Sequence, residues 1–516
     1  MSKRALISVS DKEGVAGFAR ALVKLGYEVI STGGTAKHLE EAGIAVTEVS
    51  RVTGFPEIMG GRLKTLHPGI HGGILARRQQ EEDMAQLKEQ GIDTIDLVAV
   101  NLYPFAKTIA REGVTLEEAI ENIDIGGPTM VRAAAKNYSS VAVVVNPGRY
   151  GEILAELQEK RELSEETRYQ LAAEAFAHTA EYDALISTFL LDRLPGGSPF
   201  KEQLILPFKK KADLRYGENP QQQAAFYTDV RALPDPAAVA GARQLQGKEL
   251  SFNNYNDLNA AWDMALEFEN PTVVAVKHTN PCGVASAGSI YQAYLHTFAA
   301  DPVSIFGGIV AANGEVDGET AEEMVKIFLE AVIAPSFTPE ALKIFARRKD
   351  LRILQMEQAH RTEGGAFDYK KVSGGLLVQE MDTQPLNPED WRVVTRRNPT
   401  RRELEDLLFA LKVVKHVKSN AIVLARGLQT VGIGAGQMNR VGAAKIAAEQ
   451  AEAKAKGSVL ASDAFFPFKD TLEMAAEAGV TAIVQPGGSV KDDESIEEAD
   501  RRGMAMVFTG RRYFKH

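Results

Sequence analysis

One cysteine in 516 residues leaves Cys282 without a partner, so an internal disulfide framework is excluded and a reducing, cytoplasmic setting is expected. Long apolar runs are missing too. None reaches the roughly 18 residues a membrane-spanning helix needs. The opening MSKRALISVSDKEG holds an apolar segment too short for a signal peptide, with no cleavage pattern behind it. There is no basic excess: 59 Lys and Arg stand against 69 Asp and Glu, a net charge of −10. Phosphate-backbone binders are usually basic, so neither nucleic acid nor membrane is an expected partner. A small anionic substrate would need Lys and Arg gathered locally. What remains is an ordinary globular composition, 45% hydrophobic and 25% charged.

Short apolar strands alternate with amphipathic helices from the start. RALISV, YEVIST, IAVTEVS, IDLVAVNLYPF and VAVVVN read as strands. Ser10 and Glu13 match a capping box opening a helix that runs to about Gly26, and a long helix is expected over 164–194. Such alternation predicts an α/β fold with a parallel sheet covered on both faces. Pro and Gly in RLPGGSPF place a boundary near 195–200. Beyond it, TVVAVKH, FGGIVAAN, AIVLAR, TVGIG, VLASDAF, TAIVQP and MAMVFT read as strands. TVVAVKHTNPCG and SVLASDAFFPF echo one another, as duplicated subdomains or by coincidence.

Several stretches carry chemistry. In VISTGGTAKHL, residues Ser31, Thr32, Gly33, Gly34 and Thr35 join a strand to a helix, which suits a phosphate or is simply a capped turn. GGRLKTLHPGIHGGIL sets Arg62, Lys64, His67 and His71 among glycines. Pro68 and Gly69 between the histidines make a regular helix, and hence a helical metal pair, improbable; an anion suits this stretch better. Asn101 and Tyr103 follow a buried strand, and Gly126, Gly127 and Pro128 open a second candidate anion cradle between Asp124 and Lys136. Gly432, Gly434 and Gly436 lack the spacing of a dinucleotide fingerprint, leaving Arg440 as a candidate for a phosphate or carboxylate. Phe465, Phe466 and Phe468 are core, or a wall for a flat ring in an exposed turn flanked by Asp463 and Asp470.

KHTNPCG combines a Lys, a His and the lone cysteine. A zinc deaminase wants His-x-Glu and Pro-Cys-x-x-Cys. Here Thr279-Asn280 follows His278 and Ala285 stands where the second Cys would be. Cys282 reads as a small buried residue in a turn. Lys277 and His278 remain, as an acid/base and electrostatic pair or as two solvated residues ending a strand.

STGGTA, GGRLKTLHP, NLYPF, NIDIGG, RAAAKN, RYGENP, KHTNPCG, GIGAGQ and SDAFFPF, in this order, closely resemble the bifunctional purine-biosynthesis family that joins AICAR formyltransferase to IMP cyclohydrolase. The likeness covers almost the whole chain. It implies a cyclohydrolase of methylglyoxal-synthase-like α/β fold over 1–198, and over 199–516 a transformylase of two cytidine-deaminase-like subdomains. It implies a homodimer with shared transformylase sites. 10-Formyltetrahydrofolate is the implied cosubstrate, AICAR and FAICAR the substrates and IMP the product. No redox cofactor and no catalytic metal are implied; a structural potassium ion is compatible. By the same resemblance, Lys277 and His278 serve formyl transfer. Arg215, Tyr216, Asn420, Arg440, Arg512 and Phe514 surround AICAR, and Phe306, Phe465, Asp470 and Ser489 lie near nucleotide or folate. Lys64, Tyr103, Asp124 and Lys136 serve cyclisation. Ser10, Lys12, Ser31, Thr32, Gly33, Gly34, Thr35, Arg62, Thr65, Asn101, Gly126 and Gly127 hold the nucleotide. One departure stands out: Gln221 occupies a position where many relatives carry His.

Three other readings compete. A zinc nucleoside deaminase lacks its ligands, an NAD-linked oxidoreductase lacks its glycine spacing, and an allosteric ligand-binding module leaves Lys64, Tyr103, Asp124 and Lys136 without a purpose.

Overall fold

Ala5, Leu6 and Ile7 are fully buried on a strand, β1 (Lys3–Val9), with a parallel neighbour on each side. A strand covered on both faces has no polar side to alternate with, which explains the unbroken apolar reading. The computed structural model describes residues 3–196, 198–231, 237–357 and 367–516; Gly197, in the predicted boundary stretch, lies outside them. The chain forms two compact units divided after Lys209, with a short return to the first around Asp229.

In the first unit β2 (Tyr27–Ser31), β3 (Thr47–Glu48), β4 (Leu97–Asn101) and β5 (Ala142–Val144) join β1 in a sheet of order β3-β2-β1-β4-β5. Every pair is parallel. The chain leaves β1 toward β2 and later returns on its other side to β4. Open α/β sheets bind ligands outside the strand ends at such a reversal. Ser164 caps the helix Glu165–Leu191 by accepting the Thr167 N–H at 3.2 Å.

Three local expectations change. Ser10 and Glu13 form no capping box: the helix is Val15–Lys24, entered through Gly14 at φ 67°. Ser10 N–H is taken instead by Asn101 Oδ1 at 2.7 Å. IAVTEVS yields a strand of two residues and then a helix, Val49–Thr53. Pro68 does not prevent a helix but starts one, Pro68–Leu75, because the first helical position has no N–H to lose. His67 caps it through Nδ1, accepting the Gly69 N–H at 3.0 Å.

A ribbon of β6 (Phe208–Leu214) and β7 (Ala224–Asp229) follows, all but its ends in the second unit. Then come β8 (Arg243–Gln246), β9 (Thr272–Lys277), β10 (Asn280–Ser286), β11 (Ile309–Ala312), β12 (Ala331–Ala334) and β13 (Arg352–Gln355), in sheet order β10-β9-β11-β12-β13-β8. A hairpin of β14 (Phe367–Val372) and β15 (Gly375–Glu380) follows, unforeseen in the sequence. The last sheet holds β16 (Arg392–Val393), β17 (Ile422–Ala425), β18 (Thr430–Gly434), β19 (Val459–Ser462), β20 (Ala482–Gln485) and β21 (Ala505–Phe508), in order β18-β17-β19-β20-β21-β16.

The two six-stranded sheets repeat element for element. In each, an edge strand leads to a 14-residue helix (Phe252–Ala265, Arg401–Val414), an antiparallel hairpin, and three parallel strands linked by helices. The sequence echo is therefore a duplication, but in another register. The hairpin in TVVAVKHTNPCG corresponds to β17–β18, whereas SVLASDAFFPF contains β19, the counterpart of β11. Trp262 anchors the first helix at 0% exposure, its indole N–H donating to Ala237 O at 2.7 Å. Gly432 and Gly434 have a packing purpose. A Cβ on either would strike the carbonyls of Ala447 and Ala443 on the helix Arg440–Ala451.

Candidate functional site

Where the first sheet reverses, a cavity of ≈ 350 Å³ opens at the ends of β1, β2 and β4. Thirteen of the predicted residues line it: Ser10, Lys12, Thr32, Gly34, Thr35, Arg62, Lys64, Thr65, Asn101, Tyr103, Asp124, Gly126 and Gly127. Lys64 Nζ lies 3.5 Å from the place a Cβ on Gly33 would occupy, and Lys12 Nζ 4.0 Å from the corresponding place on Gly34. The helix Gly33–Glu41 starts at this point with no side-chain cap. Two ammonium groups and a helix N-terminus with free N–H donors together make an anion site.

Other residues of this motif hold the frame. Ser31 Oγ donates to Ile7 O at 2.6 Å, and Thr35 Oγ1 donates to Val9 O at 2.9 Å while accepting Val9 N–H at 3.1 Å. The Asn101 carboxamide accepts the N–H groups of Ser10 and Asp11 at 2.7 and 2.9 Å and donates to Asp11 O at 3.1 Å. It braces the loop that carries Lys12. Arg62 is exposed, 3.5 Å from Glu121.

Asp124 is the acid of the cavity. Burial pushes its carboxyl above the usual range, against the N–H groups of Gly127 and Tyr103 and the charge of Lys64, which pull it down. Its Oδ1 accepts Gly127 N–H at 2.8 Å, and a side chain on Gly127 would run into that carboxylate. Tyr103 is 46% exposed at the rim. Lys136 is not brought to this group. It ends the 11-residue helix that Gly126 begins, roughly 15 Å along, and lines a separate apolar hollow with His67 and His71.

In the second unit β9 ends at Lys277, whose Nζ donates to Phe306 O at 3.0 Å. The chain reverses two residues earlier than Asn280-Pro281 suggests. His278 and Thr279, at φ 52° and 60°, are the centre of a two-residue turn with Lys277 paired to Asn280. Positive φ at a β-branched Thr is unusual and needs outside support. Asp257 supplies it: its carboxylate accepts Thr279 N–H at 2.7 Å and His278 N–H at 3.3 Å. The His278 carbonyl accepts from Thr279 Oγ1 at 2.7 Å and Asn280 Nδ2 at 3.2 Å. The backbone of His278 is thus held on both sides while the residue stays exposed. Cys282 lies in β10, not in a turn; it is buried, and burial pushes its thiol up to about 12. A thiol so shifted carries almost no thiolate at neutral pH.

Arg440, expected to meet a ligand anion, is 7% exposed and held inside the protein. Its guanidinium donates to the Asp463 carboxylate, to Ser462 Oγ at 2.9 Å and to Asn420 Oδ1 at 2.8 Å. Asp463, expected in an exposed turn, is fully buried. Phe466 is core, whereas Phe465 and Phe468 are 39% and 54% exposed; Lys491 lies over the Phe468 ring, and its N–H donates to Ser489 Oγ at 3.2 Å. Asp470 is exposed at a helix start, where its Oδ1 accepts Thr471 N–H. Arg215 stands over Tyr216 and shares an open hollow with Gln221; Arg512 stands over Phe514. Among the described residues no group of three His, Cys, Asp or Glu side chains is arranged to hold a metal ion.

Asp257 went unnoticed in the sequence. A signal was there: SFNNYND and TRRELED share a cap residue, a partner three on and an Asp six on, each opening a 14-residue helix.

A family model described as AICARFT/IMPCHase bienzyme matches residues 134–450, and one described as MGS-like domain matches 14–129. The bifunctional purine biosynthesis protein PurH of Acetivibrio thermocellus is 58% identical over all of both chains. Those of Thermoanaerobacter sp. and Bacillus cereus are 57% and 58% identical, again over 100% of each chain. A solved structure described as the crystal structure of ForH is 36% identical, covering 37% of this chain and 98% of its own, with a TM-score of 0.34. The chain belongs to the AICARFT/IMPCHase bienzyme family and is a bifunctional enzyme of purine biosynthesis, an AICAR formyltransferase and IMP cyclohydrolase.

Proposed function

We propose that the second unit transfers a formyl group from 10-formyltetrahydrofolate to AICAR and that the first closes the product, FAICAR, to IMP. The observation that carries this division is the separate placement of two kinds of site. A recessed, doubly cationic cavity with a half-buried acid lies in one unit, and an exposed imidazole beside a fixed lysine lies in the other.

The AICAR 5-amine is weakly nucleophilic, since its lone pair is delocalised into the imidazole ring and the carboxamide. As it attacks the formyl carbon, His278 takes its proton. The bond from formyl carbon to folate nitrogen breaks, and that nitrogen leaves with the electron pair and gains a proton. Lys277, its ammonium fixed by Phe306 O, supports charge on the formyl oxygen or gives that proton. The exposed Arg215 and Arg512 are the available cations for the AICAR phosphate; Arg440 braces Asn420 instead. Tyr216 and Phe514 offer rings beside them, and Phe306, Phe465, Asp470 and Ser489 border the folate.

In the cyclohydrolase, Lys12 and the Gly33–Gly34 turn hold the nucleotide phosphate, with Arg62 and Thr65 at its edge. The carboxamide nitrogen attacks the formyl carbon, and the formyl oxygen departs as water. Lys64 polarises that oxygen; Asp124 and Tyr103 move the protons. Lys136 is outside this group within one chain and is assigned no step.

The enzyme acts as a homodimer in the cytoplasm. Met438 and Val490, next to site segments, are apolar residues wholly exposed in the single chain. No helix among the described residues is long and apolar enough to cross a membrane. A structural potassium ion has one supporting observation, the buried Asp463 Oδ2 without a hydrogen-bond partner.

The test supplies AICAR and 10-formyltetrahydrofolate and follows IMP. Lys277→Ala and His278→Ala are expected to stop FAICAR formation while supplied FAICAR still cyclises. Full formyl transfer by either variant would defeat the assignment.

A further inference from the structure

The duplicated hairpins share a clamp. Asp257 is the sixth residue of the helix Phe252–Ala265, and Asp406 the sixth of Arg401–Val414. Each accepts two consecutive N–H groups 21 and 22 residues further along the chain: His278 and Thr279 at 3.3 and 2.7 Å, Gly427 and Leu428 at 2.9 and 2.8 Å. Both clamped pairs have positive φ: 52° and 60° in one, 65° and 56° in the other. The flanking residues also correspond, Lys277 with Arg426 and Asn280 with Gln429.

The clamps therefore perform the same backbone work, but only one turn carries an imidazole. At the other, glycine occupies the equivalent place and adopts positive φ without cost. His278 has a Cβ, and its neighbour is β-branched, so left to itself this turn would relax toward negative φ. Relaxation would swing the Cα–Cβ bond of His278, and the imidazole with it. Two N–H groups fixed by one half-buried carboxylate remove that freedom before any substrate arrives. In proton transfer, a displacement of about 1 Å is enough to cost roughly 100-fold.

We infer that Asp257 is a positioning residue for formyl transfer, acting through the His278–Thr279 turn to aim the His278 imidazole. This rests on the reading of His278 as the proton acceptor.

The experiment compares Asp257→Ala, Asp257→Asn and Asp406→Ala in the full chain, with cyclisation of supplied FAICAR as the internal measure of folded enzyme. Asp257→Ala is expected to lower the transfer kcat by roughly 10- to 100-fold, with KM for AICAR changed by no more than about threefold. Asp257→Asn, which keeps one acceptor oxygen, should fall between. Asp406→Ala breaks the equivalent clamp and should leave the transfer kcat within about twofold.

Adding Thr279→Gly to Asp257→Ala should restore part of the rate, because glycine takes the left-handed conformation unaided. Combining His278→Ala with Asp257→Ala should cost no more than His278→Ala alone, since one acts through the other. Equal transfer losses in the Asp257 and Asp406 variants, or additive losses with His278→Ala, would overturn the inference and leave a folding clamp only. If His278→Ala by itself keeps full transfer, it is the proton-acceptor reading that fails. The three outcomes are distinguishable.

Discussion

In the first unit Lys12, Lys64 and Asp124 border a recessed cavity of ≈ 350 Å³; in the second, His278 stands exposed at the tip of a turn with its backbone tied down. Ring closure is a reaction of one molecule. It profits from a site shaped in advance, with charge placed where charge develops and little water. Formyl transfer must admit two molecules and release two. A site for it stays open, so its order must come from the backbone that carries the reacting groups. The recessed site is ordered through its walls, the open one through its turn.

Breaking the recessed site should give the largest effect. Lys64→Ala removes one of the two ammonium groups at the glycine turn and is expected to slow FAICAR cyclisation roughly 100- to 1,000-fold, with formyl transfer intact; comparable loss of both activities would refute the separation. Gly127→Ala comes next. Its methyl would meet the Asp124 carboxylate and lie 2.8 Å from Leu102 Cδ2. Overpacking of this kind costs about 1–3 kcal/mol, so the first unit should melt earlier and cyclise more slowly. An unchanged melting profile would mean the helix start can shift freely.

Asp124 sharpens the comparison through pH. Burial raises its carboxyl above the ordinary value of 3.8, so folding disfavours the ionised form. Its contribution to stability is full below 3.8 and is lost as pH rises through the higher folded value. Asp124→Asn should therefore raise the thermal midpoint at neutral pH but not below pH 3.8, while cyclisation falls. In the unmodified enzyme the acid limb of cyclisation should lie above the usual carboxylate range and vanish in the variant. A lower midpoint at neutral pH would contradict the burial argument. The smallest effect belongs to Cys282→Ala. With the thiol buried and held at about 12, transfer should stay within about twofold, and thiol reagents should act slowly; a large fall would return Cys282 to the chemistry.

Legibility followed the range of the interactions. The unbroken apolar run of β1 and the Ser164 cap were readable because their causes are local. The Ser10–Glu13 box failed because Asn101, 91 residues away, claims the same N–H. Arg440 read as a ligand-seeking cation because Asp463, 23 residues on, is adjacent only in the folded protein. Gly432 and Gly434 lack the spacing of a dinucleotide fingerprint, and the sequence alone offers them no other purpose; their want of side chains serves a helix laid against β18. His-Thr is not a pair that turn preferences select, so the sequence suggests a reversal at Asn280-Pro281 rather than at 278–279. Resemblance named the residues of the open site, but the carboxylate that holds its turn was visible only as a spacing shared by two helices.

The left-handed backbone at His278 has a consequence for how this chain can drift. The residues that suit such a backbone best, glycine and asparagine, have no imidazole, so the neighbours that ease the turn are the ones that end the chemistry. A library varied at 278 and sorted for folded protein should enrich glycine and asparagine; sorted for growth without external purines, it should enrich neither. Position 278 is held by use alone, and wherever purines are supplied from outside it should be among the first to be lost.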